Sequence, residues 1–323
     1  MTPSLVRADI GHTQRALRNR LAGFLGEHRA RALRAIDNAT PALWGSDVDK
    51  LEYPPSVRDR LPGAYSQQLI QSAVVGVFES MRKRNWAAYI VGGTLRDLML
   101  GPAKAGVLGV VPRDIDVIVA DAGLNELLEC FNSIVARRTR FGGLHLVKQI
   151  AAGCEVHFDV WPLASTWAFM EYSKSPVIEA FPETPFLNLD SIAVELFPRG
   201  DSRQIYERGF FEGLADQILD INFEPNPFPD VCAVRALIMA AKLRFGMTRR
   251  LARFISGRFE EVGPKGFEAA QLSHYGKLRS VSHELCRWVD ALKYQMKNGA
   301  NKIEIAVSES RQSELWTDYP ALS

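Results

Sequence analysis

The chain has 323 residues, 47% of them hydrophobic and 24% charged, which is ordinary globular composition with enough apolar material for one large core or two modest ones. Its formal charge of +2 is too small to announce a polyanionic partner, so any such footprint must come from local clusters. Cys130, Cys154, Cys232 and Cys286 lack CxxC spacing and the histidines form no HExxH pair, which excludes a zinc knuckle, a dense disulfide framework and a His-based metal site. No run reaches the roughly 20 apolar residues of a membrane helix, and Asp9 and Glu27 argue against an N-terminal targeting segment, so the expected setting is the reducing cytoplasm.

In chain order, Leu17, Leu21, Phe24 and Leu25 with arginines between them predict an amphipathic helix over 13–36. Its basic face reads as a solvated surface first and as an RNA contact second. The proline-punctuated "EYPPSVRDRLPG" over 52–63 predicts a separating loop. A helix over 65–85, a strand over 87–91, a strand in "DIDVIVAD", a helix over 124–136 and an antiparallel hairpin of strands 144–150 and 155–161 come next, turning at Ala151-Ala152-Gly153. From Pro229 the chain turns helical. "VCAVRALIMAAKLRFG" reads as a helix with Gly246 at its C-terminal cap, and "MTRRLARFISGRF" carries a basic cluster of Arg249, Arg250, Arg253 and Arg258. A last helix is expected over 281–295.

Two places carry chemistry. In "YIVGGTLRDLMLG" a strand runs into Gly92 and Gly93, which permit a sharp turn, and a helix starting near Thr94 would aim amides and a positive dipole end at a phosphate. In "RDIDVIV" Asp114 and Asp116 leave one face of a strand while Ile115, Val117 and Val119 leave the other. Like charges so placed repel by about 1 to 4 kcal/mol. Magnesium is the natural counter-ion, because hard cations take carboxylate oxygens together with substrate phosphates. "CEVHFDVWPL" alternates Glu155, His157 and Asp159 with apolar residues; beside the Asp114 strand, Asp159 would complete a cluster for two metals, with Glu155 as the alternative third ligand.

Gly-Gly-x-x-Arg-Asp followed by a strand bearing Asp-x-Asp and a later acidic strand resembles the nucleotidyltransferase superfamily with a DNA polymerase β-like palm. Gly92, Gly93, Arg96, Asp97, Gly101, Asp114 and Asp116 are similar to the head of class II CCA-adding enzymes and bacterial poly(A) polymerases, and "RTRFGGLHLV" looks like the segment before the third acidic strand. The resemblance implies an α+β fold in which a palm of mixed sheet flanked by helices precedes a helical neck, with an N-terminal helical extension. The corresponding divisions are 1–84, 85–222 for the head, 223–275 for the neck and 276–323 for a short C-terminal segment.

The family's ribose-contacting motif, Arg-Arg-Asp-Phe-Thr-x-Asn-Ala, is matched by "NLDSIAVEL", which keeps Asp190 but has Asn188, Leu189 and Val194 in place of the arginines and the asparagine. "GFFEGLADQILD" keeps Gly213, Leu214 and Asp216 of a connector. The base-reading motif, Glu-Asp-x-x-Arg-x-x-Arg-Ala, keeps Arg235 but has Cys232 at the first arginine and Asp230 displaced by one. A cysteine cannot make an arginine's bidentate contact, so selection of C and then A is not expected. The segment after the neck is also shorter than the body and tail with which such enzymes grip tRNA.

The resemblance therefore implies an NTP- and magnesium-dependent nucleotidyltransferase. Asp114, Asp116 and Asp159 are its expected catalytic and metal-binding residues; Gly92, Gly93, Thr94, Arg96, Asp97, Asp190 and Arg235 its nucleotide site, with a pairing role within its helix as the alternative for Asp97; and Arg249, Arg250 and Arg253 its RNA contacts. The expected partners are an NTP and a tRNA-like RNA acceptor. A toxin- or defence-type enzyme acting on tRNA, protein or a small molecule, with an antitoxin or other protein partner, is the second reading. A non-catalytic binding module is the third.

Overall fold

The computed structural model describes residues 14–25, 62–100, 114–139, 141–151, 154–198, 200 and 202–316. The rest of the helix expected over 13–36, most of the loop at 52–63 and the Ala152-Gly153 turn lie outside them. Two helices lead, α1 (Gln14–Phe24) and α2 (Pro62–Lys83). The sheet region then runs β1 (Ala88–Val91), α3 (Gly93–Leu100), β2 (Asp114–Val119), α4 (Leu124–Phe131), β3 (Val135–Arg138), β4 (Leu144–Ala151), β5 (Cys154–Pro162), α5 (Trp167–Glu171), β6 (Ile192–Glu195) and β7 (Ile205–Glu207). After α6 (Phe210–Asp216) and β8 (Ile218–Leu219) come α7 (Pro229–Leu243), β9 (Gly246–Thr248), α8 (Arg249–Tyr275), α9 (Ser282–Lys297), β10 (Lys302–Ile303) and α10 (Glu309–Trp316).

Seven strands form a mixed sheet in the order β3-β4-β5-β2-β1-β6-β7. Within this sheet, among the described residues, only β2 and β5 pair in parallel, placing Asp114 opposite His157 and Asp116 opposite Asp159. That parallel pair is reached by way of β3 and β4, and the expected β4–β5 hairpin is antiparallel, with His145 opposite Asp159. The alternation read in the sequence is therefore real: Ile115 and Val117 are fully buried on one face while the acids share the other. A small second sheet, β10-β9-β8, pins the helical part to the end of α6.

Three expectations are corrected. The helix expected over 124–136 stops at Phe131, because Val135–Arg138 pairs with β4 instead (Val135 opposite Leu146, Arg138 opposite Leu144), and this pairing overrides the helical spacing. The cap of α7 is not Gly246 but Arg244, which takes the left-handed conformation at φ 54° and donates its N–H to the Ala240 carbonyl. Gly246 sits in β9, where a Cβ would lie 2.5 Å from Cε of Lys302. Finally, α1 is not a solvated surface helix. Leu17 and Leu21 are completely buried, and its arginines brace the fold: Arg18 Nε donates to the Arg203 carbonyl at 3.1 Å and Arg20 Nη1 to the Leu98 carbonyl at 3.0 Å.

One apolar cluster runs from Leu17 and Leu21 through Val74, Ile90, Ile115 and Phe158 to Leu237, Trp288 and Leu315. Among the described residues no helix is long and apolar enough to cross a membrane. If α1 is part of this core, Leu21→Ala should lower unfolding free energy by about 2–5 kcal/mol in urea titrations. A loss below about 0.5 kcal/mol, the range of surface substitutions, would mean that the helix is not docked.

Candidate active site

The β1–α3 turn is built by its two glycines in different ways. Gly92 has φ 58° and donates its N–H to the Ile192 carbonyl at 3.1 Å. Gly93 leaves room for Arg96, whose Nη2 would stand 3.2 Å from an added Cβ. The first intrahelical bonds run from Leu95 and Arg96 back to the Gly92 carbonyl, so the amides of Gly93 and Thr94 lie ahead of them at the positive end of α3. Thr94 ties this turn to β2: its hydroxyl donates to the Asp114 carbonyl at 3.3 Å and accepts the Asp116 N–H at 2.9 Å.

Behind the turn runs a chain of ion pairs. Lys242 Nζ reaches Asp97 Oδ2 at 3.3 Å, Asp97 Oδ1 accepts from Arg96 Nε at 2.9 Å, Arg96 Nη1 bonds Asp190, and Asp190 Oδ2 is 3.6 Å from Arg235 Nη2. Asp97 thus pairs both within α3, with Arg96, and across to α7, with Lys242. Asp190 comes from the 3-10 turn Asn188–Asp190 that precedes β6. In front lies a cavity of about 140 Å³, lined by Gly93, Thr94, Asp114, Asp116, Arg235 and Lys242 among others.

The carboxylates on the sheet face are unevenly satisfied. Burial pushes the Asp116 carboxyl well above the usual carboxylate range; Asp159, Asp114 and Asp190 add to this, and Arg235 opposes it. A cation at this position would relieve the repulsion. Asp159 Oδ1 has another partner, His145 Nδ1 at 2.7 Å, and His145 Nε2 in turn meets His157 Nδ1 at 3.2 Å. Glu155, the alternative third ligand, stands 3.7 Å from His157 Nε2. Among the described residues no three His, Cys, Asp or Glu side chains are grouped closely enough to hold a metal. Asp114 and Asp116 nonetheless offer the hard oxygen donors that magnesium takes, since that ion is commonly held by one or two carboxylates and completed by phosphate and water.

The structure brings Gly92, Gly93, Thr94, Arg96, Asp97, Asp114, Asp116, Asp190 and Arg235 together, with Asp159 one strand away. It does not bring Arg249, Arg250 and Arg253 to this cavity. Arg249 donates to the Met296 carbonyl at 2.8 Å, Arg250 pairs with Asp220 and bonds the Ile221 carbonyl, and Arg253 is exposed. Four polar lining residues were not singled out from the sequence: Lys242, His274, Tyr275 and Arg279. Lys242 carried a signal, because Arg235, Ile238, Met239 and Lys242 obey the i, i+3, i+4, i+7 spacing of one helix face. The others arrive from the far end of α8 and the turn after it, where nothing local marks them.

Where the resemblance expects arginines, this chain has packing residues. Cys232 is buried, and burial pushes its thiol up to about 11. Asp230 is held by Arg258 at 2.6 Å. The Asn188 amide donates to the Ile218 carbonyl at 3.1 Å and its Oδ1 accepts the Leu189 and Asp220 N–H groups, each at 3.0 Å.

No family model and no curated protein matches the chain. Among solved structures it is similar to a CCA-adding enzyme in complex with ATP (15% identity, TM-score 0.45, covering 69% of this chain and 49% of that one). It is also similar to the Thermotoga maritima CCA-adding enzyme complexed with tRNA-CCA (14%, 0.46, 74% and 52%) and to a tRNA-processing enzyme with CTP (20%, 0.39, 57% and 46%). The chain spans about half the length of these structures.

The ion chain makes a pH-dependent contribution to stability. Burial pushes the Lys242 ammonium down to about 8, with Asp97 opposing. An unfolded lysine titrates near 10.4, so between about pH 8 and 10.4 the unfolded chain holds the extra proton and stability should rise with pH through this group. Urea unfolding should therefore show wild-type stability rising relative to Lys242→Met across that window, by up to about 3 kcal/mol. A difference that stays flat or falls would contradict this.

Proposed function

We propose that the chain is a metal-dependent nucleotidyltransferase that transfers a nucleoside monophosphate from an NTP to an acceptor hydroxyl, at an RNA 3′ end. One observation carries the reading: the glycine turn and helix start at Gly92, Gly93 and Thr94 are tied through the Thr94 hydroxyl to the strand that bears Asp114 and Asp116, with Asp159 in register beside it. In this reading residues 85–222 are the head, 223–275 the neck, 276–323 a short C-terminal segment and 1–84 an N-terminal helical region.

The amides of Gly93 and Thr94 hold the triphosphate, and Arg235 and Lys242 add positive charge along its path. Asp114 and Asp116 would hold magnesium, which would supply neutralisation of phosphate charge and ease ionisation of the acceptor hydroxyl. Asp159, oriented by His145, stands on the acceptor side and helps to take the hydroxyl proton. The acceptor oxygen bonds to the α-phosphorus as the bond to the bridging oxygen breaks, and pyrophosphate leaves in line. Arg96 and Asp190 keep the turn and α7 in position and do not need to touch the nucleotide.

The buried thiol at Cys232 and the pairing of Asp230 with Arg258 favour a second reading of the acceptor and base, in which the same transfer is made to a protein or small molecule. Purified protein incubated with each labelled NTP, magnesium and total RNA separates the two, and RNA should carry the label. Label in protein alone would exclude the RNA reading. Asp116→Asn should lower transfer by on the order of 10³-fold, and EDTA should abolish it. Because this substitution removes a carboxylate from a repulsive cluster, stability at neutral pH should be unchanged or higher. Retained transfer, or an unfolded variant, would contradict the assignment.

A further inference from the structure

The described residues of the turn between β3 and β4 are cross-linked by hydrogen bonds and yet present an aromatic ring to water. Thr139 N–H donates to the Gly143 carbonyl at 2.8 Å, Gly143 N–H donates to Thr139 Oγ1 at 2.9 Å, and Gly142 takes φ 74°. A Cβ on Gly143 would lie 2.7 Å from the Trp161 Cβ and 2.9 Å from the Val160 carbonyl, so the turn is pressed onto β5 next to Asp159. At its tip Phe141 remains 39% exposed and meets Phe228, itself 37% exposed, edge to face with centroids 5.9 Å apart. Phe228 is the N-cap residue of α7, two turns before Arg235.

The rings continue beyond this pair. Tyr172, 46% exposed, contacts Trp167 at 5.8 Å and Phe223 at 5.5 Å, both edge on, and Lys174 Nζ lies over the Phe223 ring at 5.6 Å. The two groups adjoin, since Phe223 precedes Phe228 by five residues and Gly142 approaches the Ser165 side chain two residues before Trp167. Exposed Arg137 and Arg138, on edge strand β3, lead into the same turn.

We propose that this track of exposed aromatic rings, bordered by Lys174 and by Arg137, which the register puts on the face of His145 and Asp159, holds the unpaired bases of a single-stranded RNA 3′ segment and leads its terminal hydroxyl to Asp159. The assignment rests on the RNA-directed transfer proposed above. Every base has a π face that such rings can stack on, and the bordering cations match the phosphates between bases. Stacking of a base on the ring gives a role to a hydrogen-bonded glycine turn that leaves Phe141 39% exposed beside Phe228.

The test measures RNA binding separately from transfer, by anisotropy of a fluorescein-labelled hairpin with a 3′ overhang and of the same hairpin made blunt. The overhang should bind more tightly. Phe141→Ala and Tyr172→Ala should each weaken it by about 5-fold to about 100-fold, Phe141→Trp should restore binding, and the blunt hairpin should be unaffected. Arg137→Ala should reduce the slope of log affinity against log salt by about 0.7 if it meets one phosphate. An overhang affinity unchanged by Phe141→Ala combined with Tyr172→Ala overturns the assignment, including the case in which these changes instead weaken labelling of a protein. Because binding needs no NTP, overhang binding lost in the variants while no NTP labels RNA would leave the surface standing and remove the transfer reading; transfer to RNA with unchanged binding would do the reverse.

Discussion

The chain of charges that runs from buried Lys242 through Asp97, Arg96 and Asp190 to half-buried Arg235 fixes where everything else in the site can be. It joins three segments that no local rule would bring together: the first turn of α3, the 3-10 turn before β6, and one face of α7. The charges of Lys242, Asp97, Arg96 and Asp190 are largely removed from water, while Arg235 at the end of the chain is 37% exposed; breaking one of the buried pairs by deleting one member is strongly unfavourable because the other remains buried. Geometry set this way is stiff. It holds the amides of Gly93 and Thr94 against the strand of Asp114 and Asp116, and it turns Arg235 toward the same acids, where it opposes the upward push on Asp116.

Much of this was legible in the sequence because it depends on local spacing. Alternation placed Asp114 and Asp116 on one face and Ile115 and Val117 in the core, the hairpin of β4 and β5 formed as expected, and the paired glycines marked the turn. What failed depended on distant partners. Val135–Arg138 is a strand because β4 offers it an edge, not because of its own pattern. Gly246 reads as a helix cap, but its small size serves the approach of Lys302 from more than fifty residues away. His145 was unremarkable until the register put it opposite Asp159, and His274, Tyr275 and Arg279 reach the cavity only through the packing of α8 on α7.

The positions that differ from the resembled family share a physical theme. Asn188 is locked into a hydrogen-bonded corner, and Gly213 lies beneath it so closely that a Cβ would stand 2.4 Å from its amide nitrogen. Cys232 is a core residue and Asp230 is occupied by Arg258. At each of these places side-chain packing stands where the resemblance expects groups that read a sugar or a base, while the turn and the strand acids keep a polar face. In the proposed reading, the phosphate and metal end of the site is therefore physically separate from the end that would meet the base.

That separation makes one measurement the most direct. Calorimetric titration of a non-hydrolysable NTP analogue should show binding that requires magnesium and is lost in the Asp114→Asn, Asp116→Asn double variant while that protein remains folded. Equal affinity without the metal, or affinity untouched by the double substitution, would contradict the placement of the nucleotide and metal at this turn.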